Sequence, residues 1–165
     1  MEKLKIIRII FAILIVCMCC IIFCFSNQNG TQSKSVSREF VSKIINVLPQ
    51  TKNKTENEKR KIIENAQVFV RKLAHFSVYT ALGGISMCFM STYDMSNRKR
   101  FVSSFTIGFL YAVLDETHQI FSPGRTARVF DVIIDSMGVI FGILIVFGII
   151  SLYHKKRVFN NNIKN

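Results

Sequence analysis

The feature that most constrains this chain is an uninterrupted apolar run near the N-terminus, over residues 9–25. Counted from residue 6, the run has about the 20 residues that an α-helix needs to cross the hydrocarbon core of a bilayer. Hydrophobic residues make up 50% of the 165-residue chain, and they fall into long blocks instead of being spread as in a soluble core. The sequence therefore predicts an all-α integral membrane protein with a single domain over residues 1–165.

Four apolar blocks predict four transmembrane helices. The spans are expected at about residues 6–25, 73–93, 101–121 and 130–153. A cleaved signal peptide is the rival interpretation of the first span, but the run ends without the small residues of a cleavage site, which favours a retained helix. Beyond the last span, a polar tail begins at His154, and its Asn-rich terminus is expected to be frayed.

The long polar segment after the first span contains a second kind of helix signal. Its apolar residues recur at helical spacing and stop before Pro49, which predicts a short amphipathic helix. That helix would lie on the membrane surface or pack across the mouth of the bundle, and the sequence leaves both open. Thr55 and Glu58 have the spacing of a capping box, so a further helix is expected to begin there and to continue into the second span. The apolar stripe consists of Val36, Phe40, Val41, Ile44, Ile45 and Leu48.

Basic residues set the expected orientation. Four spans place both termini on one side, where short basic clusters lie directly beside the spans, and the positive-inside rule makes that side cytoplasmic. The long segment on the other side is also basic, but many of its charges lie far from a span end. Topology and anionic lipid thus explain the net charge of +12 better than nucleic-acid binding does. The clusters are Lys3, Lys5 and Arg8; Arg98, Lys99 and Arg100; and Lys155, Lys156, Arg157 and Lys164.

Several functional classes lack support in the sequence. The five cysteines lie inside the first two apolar blocks, so no loop has the spacing of a disulfide framework or a zinc site, and we interpret them as small lipid-facing or packing residues. The sequence contains no nucleotide-binding glycine loop, zinc-protease helix motif or nucleophile elbow. We therefore predict no cofactor and no metal ion. The cysteines are Cys17, Cys19, Cys20, Cys24 and Cys88.

Ionisable residues inside the apolar blocks mark a candidate site. Such a group costs roughly 2.5 to 3.5 kcal/mol in hydrocarbon, so it usually faces a protein interior or a wet cavity. At about 1.5 Å per helical residue, His75, Asp115, Asp131 and Asp135 all lie within about 10 Å of the outer boundary. The sequence therefore predicts one layer of acid and base groups beneath the outer face.

Helical spacing also predicts which side chains share a face. Arg71, His75 and Tyr79 stack on one face of the second span, and Gly83 and Gly84 would let another helix approach it. On the next two spans, Asp115 shares a face with His118 and Gln119, and Asp131 shares one with Asp135, Gly138 and Gly142. Glu116 is expected to point elsewhere, towards Arg125 or Arg128 beside the Pro123-Gly124 turn.

Three interpretations of the layer stay open. It could be a structural network in which Arg71, Arg125, Arg128 and His75 pair with the aspartates. It could be a pocket in which arginines hold an anionic head group while His75 or Asp115 moves protons. A metal site made from His75, Asp115, His118, Asp131 and Asp135 has the least support, because the two histidines lack diagnostic spacing.

Three motifs, in this order, resemble the signature of the VanZ-like family: RKxxHFxxYxxLG over residues 71–83, DExxQxFxPGR over 115–125 and DVxxDxxGxxxG over 131–142. The resemblance covers most of the chain and implies a bundle of a few membrane helices. The namesake of the family is associated with teicoplanin resistance in Gram-positive bacteria, so a role at the cell envelope is implied. Relatives often carry Asn where this chain has Asp135, which adds an acid to the layer.

Together these observations predict a protein of the cell membrane that binds or modifies an anionic envelope lipid or wall precursor at the outer face. Arg71, Arg125 and Arg128 are the expected anion clamps, and His75, Asp115, Asp131 and Asp135 the expected proton-handling groups. A non-enzymatic scaffold is the alternative, transport has the least support, and the oligomeric state is left open. The further candidate ligand-binding residues are Lys72, Tyr79, Glu116, His118 and Gln119.

Overall fold

A computed structural model of the protein describes residues 1–27, 30–47, 55–121 and 128–164. These residues form five α-helices, which confirms the predicted all-α class. In chain order the helices are α1 (Glu2–Ser26), α2 (Gly30–Val47), α3 (Glu56–Ser91), α4 (Asn97–Ile120) and α5 (Val129–Lys164).

Three helices of the described chain are long and apolar enough to cross a membrane: α1, α3 and α5 up to Lys156. The multi-pass membrane character is therefore confirmed. Helix α4 has a lower hydropathy because basic residues open it and Asp115 and Glu116 lie in its last turns. The three spans include the predicted first, second and fourth.

Helix α3 begins where the capping-box spacing predicts. The Thr55 hydroxyl accepts a hydrogen bond from the backbone N–H of Glu58 at 3.4 Å, and the Glu58 carboxylate accepts one from the backbone N–H of Thr55 at 2.9 Å. The helix then continues for 36 residues. The predicted continuity between the polar segment and the second span is thus confirmed.

Replacing Thr55 with alanine should loosen this helix start without affecting the span. The change removes one half of the box, and loss of a Thr cap costs about 1 kcal/mol of helix stability. We expect faster amide hydrogen exchange over residues 56–59, measured by mass spectrometry in detergent micelles. Thr106→Ala, at an exposed position inside α4, is the control. Unchanged exchange in the first turn of α3 would contradict the prediction.

Helix α5 extends further than the sequence analysis expects. The predicted span ends at about residue 153 with a frayed tail beyond it, but α5 continues to Lys164, so the prediction of a frayed tail was wrong. The physical reason is cooperativity, because a helix that has already been nucleated adds each further residue at little cost. After Gly148 the sequence contains no glycine or proline that would stop it.

Helix α2 corresponds to the predicted amphipathic helix and packs against α3. Val41 and Ile45 are buried, whereas Phe40 and Ile44 are exposed. The apolar stripe is therefore divided between a face on the bundle and a face left open, and both sequence interpretations apply to part of it. Leu48 and Pro49 lie outside the described residues.

The most extensive helix contact joins α3 to α5, and glycines make it close. A Cβ on Gly83 would overlap the Val139 backbone, and one on Gly142 would overlap the carbonyl oxygen of Thr80. The prediction that glycines let these spans approach each other is confirmed. The core around this contact consists of Ile22, Tyr79, Leu82, Met87, Ala112, Val139 and Ile143.

Basic residues tie three helix ends together at one end of the bundle. The Arg8 guanidinium donates to the carbonyl oxygen of Thr92 at 2.9 Å and lies 4.0 Å from the centre of the Tyr93 ring. Arg100 donates to the carbonyl oxygen of Tyr93 at 3.1 Å. The first two basic clusters of the sequence therefore lie at the same end. All five cysteines are free, and Cys17, Cys20 and Cys24 are exposed while Cys19 and Cys88 are half-buried, in agreement with their prediction as lipid-facing or packing residues.

Candidate functional site

Four helices meet at the opposite end of the bundle, where they bring acid and base side chains together. His75 of α3, Asp115 of α4 and Asp135 of α5 each place one nitrogen or oxygen atom within 4.8 Å of the other two. Asp115 and Asp135 are buried, and His75 is half-buried. For these three residues the structure contains the layer that helical spacing predicts, although their chemical roles stay predictions.

Asp115 is held from one side by a buried hydrogen-bond network. The Ser26 hydroxyl of α1 donates to Asp115 Oδ2 at 2.8 Å, and Gln119 Nε2 donates to the same oxygen at 3.2 Å and to Ser26 Oγ at 2.8 Å. Among the described residues, Asp115 Oδ1 has no hydrogen-bond partner. The network therefore fixes the carboxylate through one oxygen and leaves the other available.

Ser26 was missed by sequence reasoning as a site residue. It follows the first apolar run directly, and nothing in the local sequence indicates a partner for it. Its side chain is fully buried, and a buried hydroxyl needs a hydrogen-bond partner. The available signal was a single serine at the same predicted depth as Asp115.

Tyr79 lies beside the same cluster. Its hydroxyl lies near Asp115 and Asp135 and has a hydrogen-bonding contact with the Asp115 carboxyl, but that contact is too long or too bent to satisfy either group within the described residues. Its side chain is fully buried. The predicted column of Arg71, His75 and Tyr79 thus runs along α3 from a cavity wall into the bundle core.

A polar cavity lies next to the cluster. Its volume is about 20 Å³, which is room for about one water molecule or one ion. Lys72 Nζ lies 2.7 Å from Asp131 Oδ1, and His75 Nδ1 lies 4.0 Å from Asp135 Oδ1. Both aspartates of α5 therefore face α3, as their spacing predicts. The lining residues are Arg71, Lys72, His75, Glu116, Gln119, Asp131, Ile134 and Asp135.

The structure places other predicted site residues differently. Glu116 accepts a hydrogen bond from the backbone N–H of Arg128, in the direction that the sequence predicts, and it also lines the polar cavity. His118 packs against Phe23 of α1, with ring centres 4.9 Å apart and ring planes tilted by 34°, outside the cluster. The Arg128 side chain is exposed, and Arg125 with the Pro123-Gly124 turn lies outside the described residues.

A second cavity, which is largely apolar, opens between α1, α2 and α3. Its volume is about 520 Å³, within the range of ligand pockets in proteins. Arg71 and His75 line both this cavity and the polar one. Sequence reasoning missed the apolar cavity because its walls come from the packing of three separate helices. Its walls are Ile22, Phe25, Ser37, Phe40, Val70, Arg71, Ala74, His75, Ser77 and Val78.

Comparison with known families decides the membership of this chain. The family model described as VanZ/LLP1 matches residues 11–152. The protein belongs to the VanZ/LLP1 family. No curated protein and no solved structure gives a match.

The family region of this VanZ/LLP1 protein contains the whole candidate site. Every residue that lines the two cavities lies within the matched range, from Ile22 of the apolar cavity to Asp135 of the polar one. The resemblance drawn from the three sequence motifs is therefore confirmed at the level of the family. The site is part of the family domain and not an appendage to it.

Proposed function

We propose that this VanZ/LLP1 protein crosses the membrane four times, with α4 as the fourth span. Helix α4 has 24 residues, or about 36 Å, which is enough for a hydrocarbon core of about 30 Å. It contacts α1, α3 and α5, and it runs along the bundle from Ser104 beside Met87 to Gln119 beside Ser26. Its acidic residues are buried, which is how a span tolerates charge.

With four spans, both termini lie on the same side, and we propose that this side is the cytoplasm. The basic end, where Arg8 and Arg100 contact the end of α3, then faces inwards in accordance with the positive-inside rule. The two cavities lie at the opposite end. In this orientation they open towards the outer leaflet of the cell membrane.

We propose that the protein binds an anionic lipid of the cell envelope, or a lipid-linked wall precursor, at this outer end. The observation that carries the proposal is the pair of adjoining cavities that share Arg71 and His75. The apolar cavity has the size and lining to receive an acyl or prenyl chain. The shared wall places a guanidinium where the chain would end in its charged head group.

The charges around the two cavities favour Arg71 as the group that holds the anion. Lys72 is already paired with Asp131 at 2.7 Å, whereas no carboxylate of the described residues forms an ion pair with Arg71. A guanidinium can donate two parallel hydrogen bonds to a phosphate. His75, beside it, is placed to donate to the same head group or to exchange a proton with it.

Replacing Arg71 with glutamine should remove most of the discrimination in favour of a charged lipid. We expect the wild-type protein to bind a long-chain prenyl phosphate at least about tenfold more tightly than the corresponding prenyl alcohol, which is a difference of about 1.4 kcal/mol. Native mass spectrometry of the detergent-solubilised protein measures both affinities. Inorganic phosphate is a third probe, which separates recognition of the head group alone from recognition of the lipid.

Arg60→Gln is the matched control, because Arg60 is an exposed arginine of the same helix, outside both cavities. It should keep the preference of the wild type. Equal binding of phosphate and alcohol by the wild type, or an equal loss in both variants, would contradict the proposal.

A modifying activity and a part in teicoplanin resistance extend the same proposal. A modifying enzyme would change the lipid or wall-precursor profile of cells that carry the gene, in a way lost with His75→Ala. A binder would change antibiotic access and leave that profile unchanged. Mass spectrometry of lipids and precursors, with and without the gene, distinguishes the two. Folded Arg125→Ala and Asp131→Asn variants that keep the full phenotype would contradict both.

A membrane scaffold is the second candidate, and a specific observation favours it. The Ser26, Gln119 and Asp115 network joins α1 to α4, and the pair of Lys72 and Asp131 joins α3 to α5. These contacts would fix the bundle whether or not a ligand binds. A scaffold predicts no discrimination between charged and neutral lipid in the binding measurement.

A further inference from the structure

The cluster of His75, Asp115 and Asp135, beside the polar cavity, has the composition of a metal site. It combines an imidazole nitrogen with two carboxylate oxygens, one from each of α3, α4 and α5, and the three atoms lie within 4.8 Å of one another. Imidazole and carboxylate together suit Zn²⁺ and related divalent ions of the first transition row. Three protein ligands with a fourth position open is the arrangement of catalytic zinc sites.

The orientation of Asp115 is a separate observation that points to a ligand. Ser26 and Gln119 hold Oδ2, while Oδ1 is buried without a hydrogen-bond partner among the described residues. Metal-bound carboxylates are commonly fixed in this way, by hydrogen bonds from neighbouring residues that orient the free oxygen. An unpaired buried oxygen is otherwise unfavourable, and a cation would satisfy it.

Tyr79 adds a second buried polar group directed at the same place. Its side chain is fully buried, and its hydroxyl lies near both carboxyl groups, with a hydrogen-bonding contact to Asp115 that is too long or too bent to satisfy it within the described ranges. A water molecule or a ligand atom on a metal ion would provide a full hydrogen bond.

The charge balance of the cluster also favours a cation. Asp135 lies close enough to Asp115, Glu116 and Asp131 to be repelled by them, and Lys72 is paired with Asp131. The adjoining cavity of about 20 Å³ is too small for an organic group but large enough for an ion or a water molecule. A dication between Asp115 and Asp135 would remove the repulsion between these two carboxylates.

We propose that His75, Asp115 and Asp135 form a binding site for a divalent transition-metal ion, for which Zn²⁺ is the reference. Zinc bonds to these atoms are about 2.0 to 2.2 Å long, so the three ligand atoms would move together by roughly 1 Å on binding. His75 and Asp135 also line the polar cavity, from which a fourth ligand could reach the ion. This site goes beyond the lipid-binding proposal and does not depend on it.

The test measures the amount of metal bound to the purified protein. The protein is prepared without a polyhistidine tag, and bound metal is first removed with a chelator. After equilibration with Zn²⁺ and desalting, we expect about one zinc per chain by elemental mass spectrometry. Co²⁺, used as an optical probe, should give a spectrum of nitrogen and oxygen ligands without the charge-transfer band of a thiolate, which excludes the cysteines of α1 as ligands.

Two variants and two matched controls locate the ion. His75→Gln and Asp135→Asn should each lower zinc affinity at least about tenfold and should lose the rise in melting temperature that Zn²⁺ gives the wild type. His154→Gln and Asp94→Asn remove the same residue types at exposed positions and should keep both effects. Circular dichroism confirms that each variant is helical.

The wild-type measurement alone can overturn the inference. A wild-type protein that retains no zinc and gives no Co²⁺ spectrum would show that the cluster is a hydrogen-bonded network without a metal. Equal losses in the site variants and the control variants would place the ion elsewhere. Neither result bears on the prenyl phosphate measurement, so the two proposals fail independently.

Discussion

Gly142→Ala is expected to separate α3 from α5 and to destabilise the protein more than the addition of a methyl group at any other position. A Cβ at this position would overlap the carbonyl oxygen of Thr80 and lie 2.8 Å from the backbone nitrogen of Gly84. Both obstacles are main-chain atoms of a helix, so they cannot rotate away as a side chain would. Overpacking a tight core costs about 1–3 kcal/mol of stability and sometimes more. Because the overlap here is with backbone atoms, we expect a cost at the upper end of this range.

The measurement is thermal unfolding in detergent, with Gly148→Ala as the control on the same helix. No atom of the described residues lies within 4 Å of a Cβ placed on Gly148, so that change should be neutral or slightly stabilising, since alanine has the higher helix propensity. Because α3 and α5 both carry site residues, Gly142→Ala should also weaken zinc and lipid binding. Similar melting temperatures for the two variants would show that the α3–α5 contact is looser than described.

The helical fold could be predicted well from the sequence because its signals are local. Apolar blocks, the capping box at Thr55 and the glycines at Gly83 and Gly142 each depend on a few neighbouring residues. Errors occur where local signals are weak. The tail after His154 is polar and looks frayed, but it continues a helix that the apolar part of α5 has already formed.

The site could be predicted only in part, because a site depends on how helices face each other. Counting residues along each helix gives the depth of each side chain in the membrane. Equal depth correctly predicted that His75, Asp115 and Asp135 lie together. The rotation of each helix about its axis was harder to predict, because Glu116 lies towards Arg128 as expected and yet also lines the polar cavity. Ser26 could not be identified in advance because its partner is 89 residues away along the chain.

A pair of substitutions at Asp115 should distinguish its structural role in the hydrogen-bond network from its role in metal binding. Asp115→Asn keeps an oxygen that can accept from Ser26 and Gln119, and it removes a negative charge beside Asp135. Asp115→Ala removes the acceptor and leaves the buried hydroxyl of Ser26 without its partner, which costs about 1–3 kcal/mol. In the presence of a chelator, we expect the asparagine variant to melt at the same temperature as the wild type or above it. The alanine variant should melt well below both.

Adding Zn²⁺ should then reverse part of this order. The ion binds the folded wild type and raises its melting temperature by mass action, whereas the asparagine variant has lost one anionic ligand and should respond much less. Gln67→Ala, on α3 and outside both cavities, should respond as the wild type does. An alanine variant as stable as the asparagine variant would mean that Ser26 and Gln119 find other partners, and the network would then not fix α1 to α4. An equal zinc response in Asp115→Asn and the wild type would remove Asp115 from the metal site while leaving its hydrogen-bonding part intact.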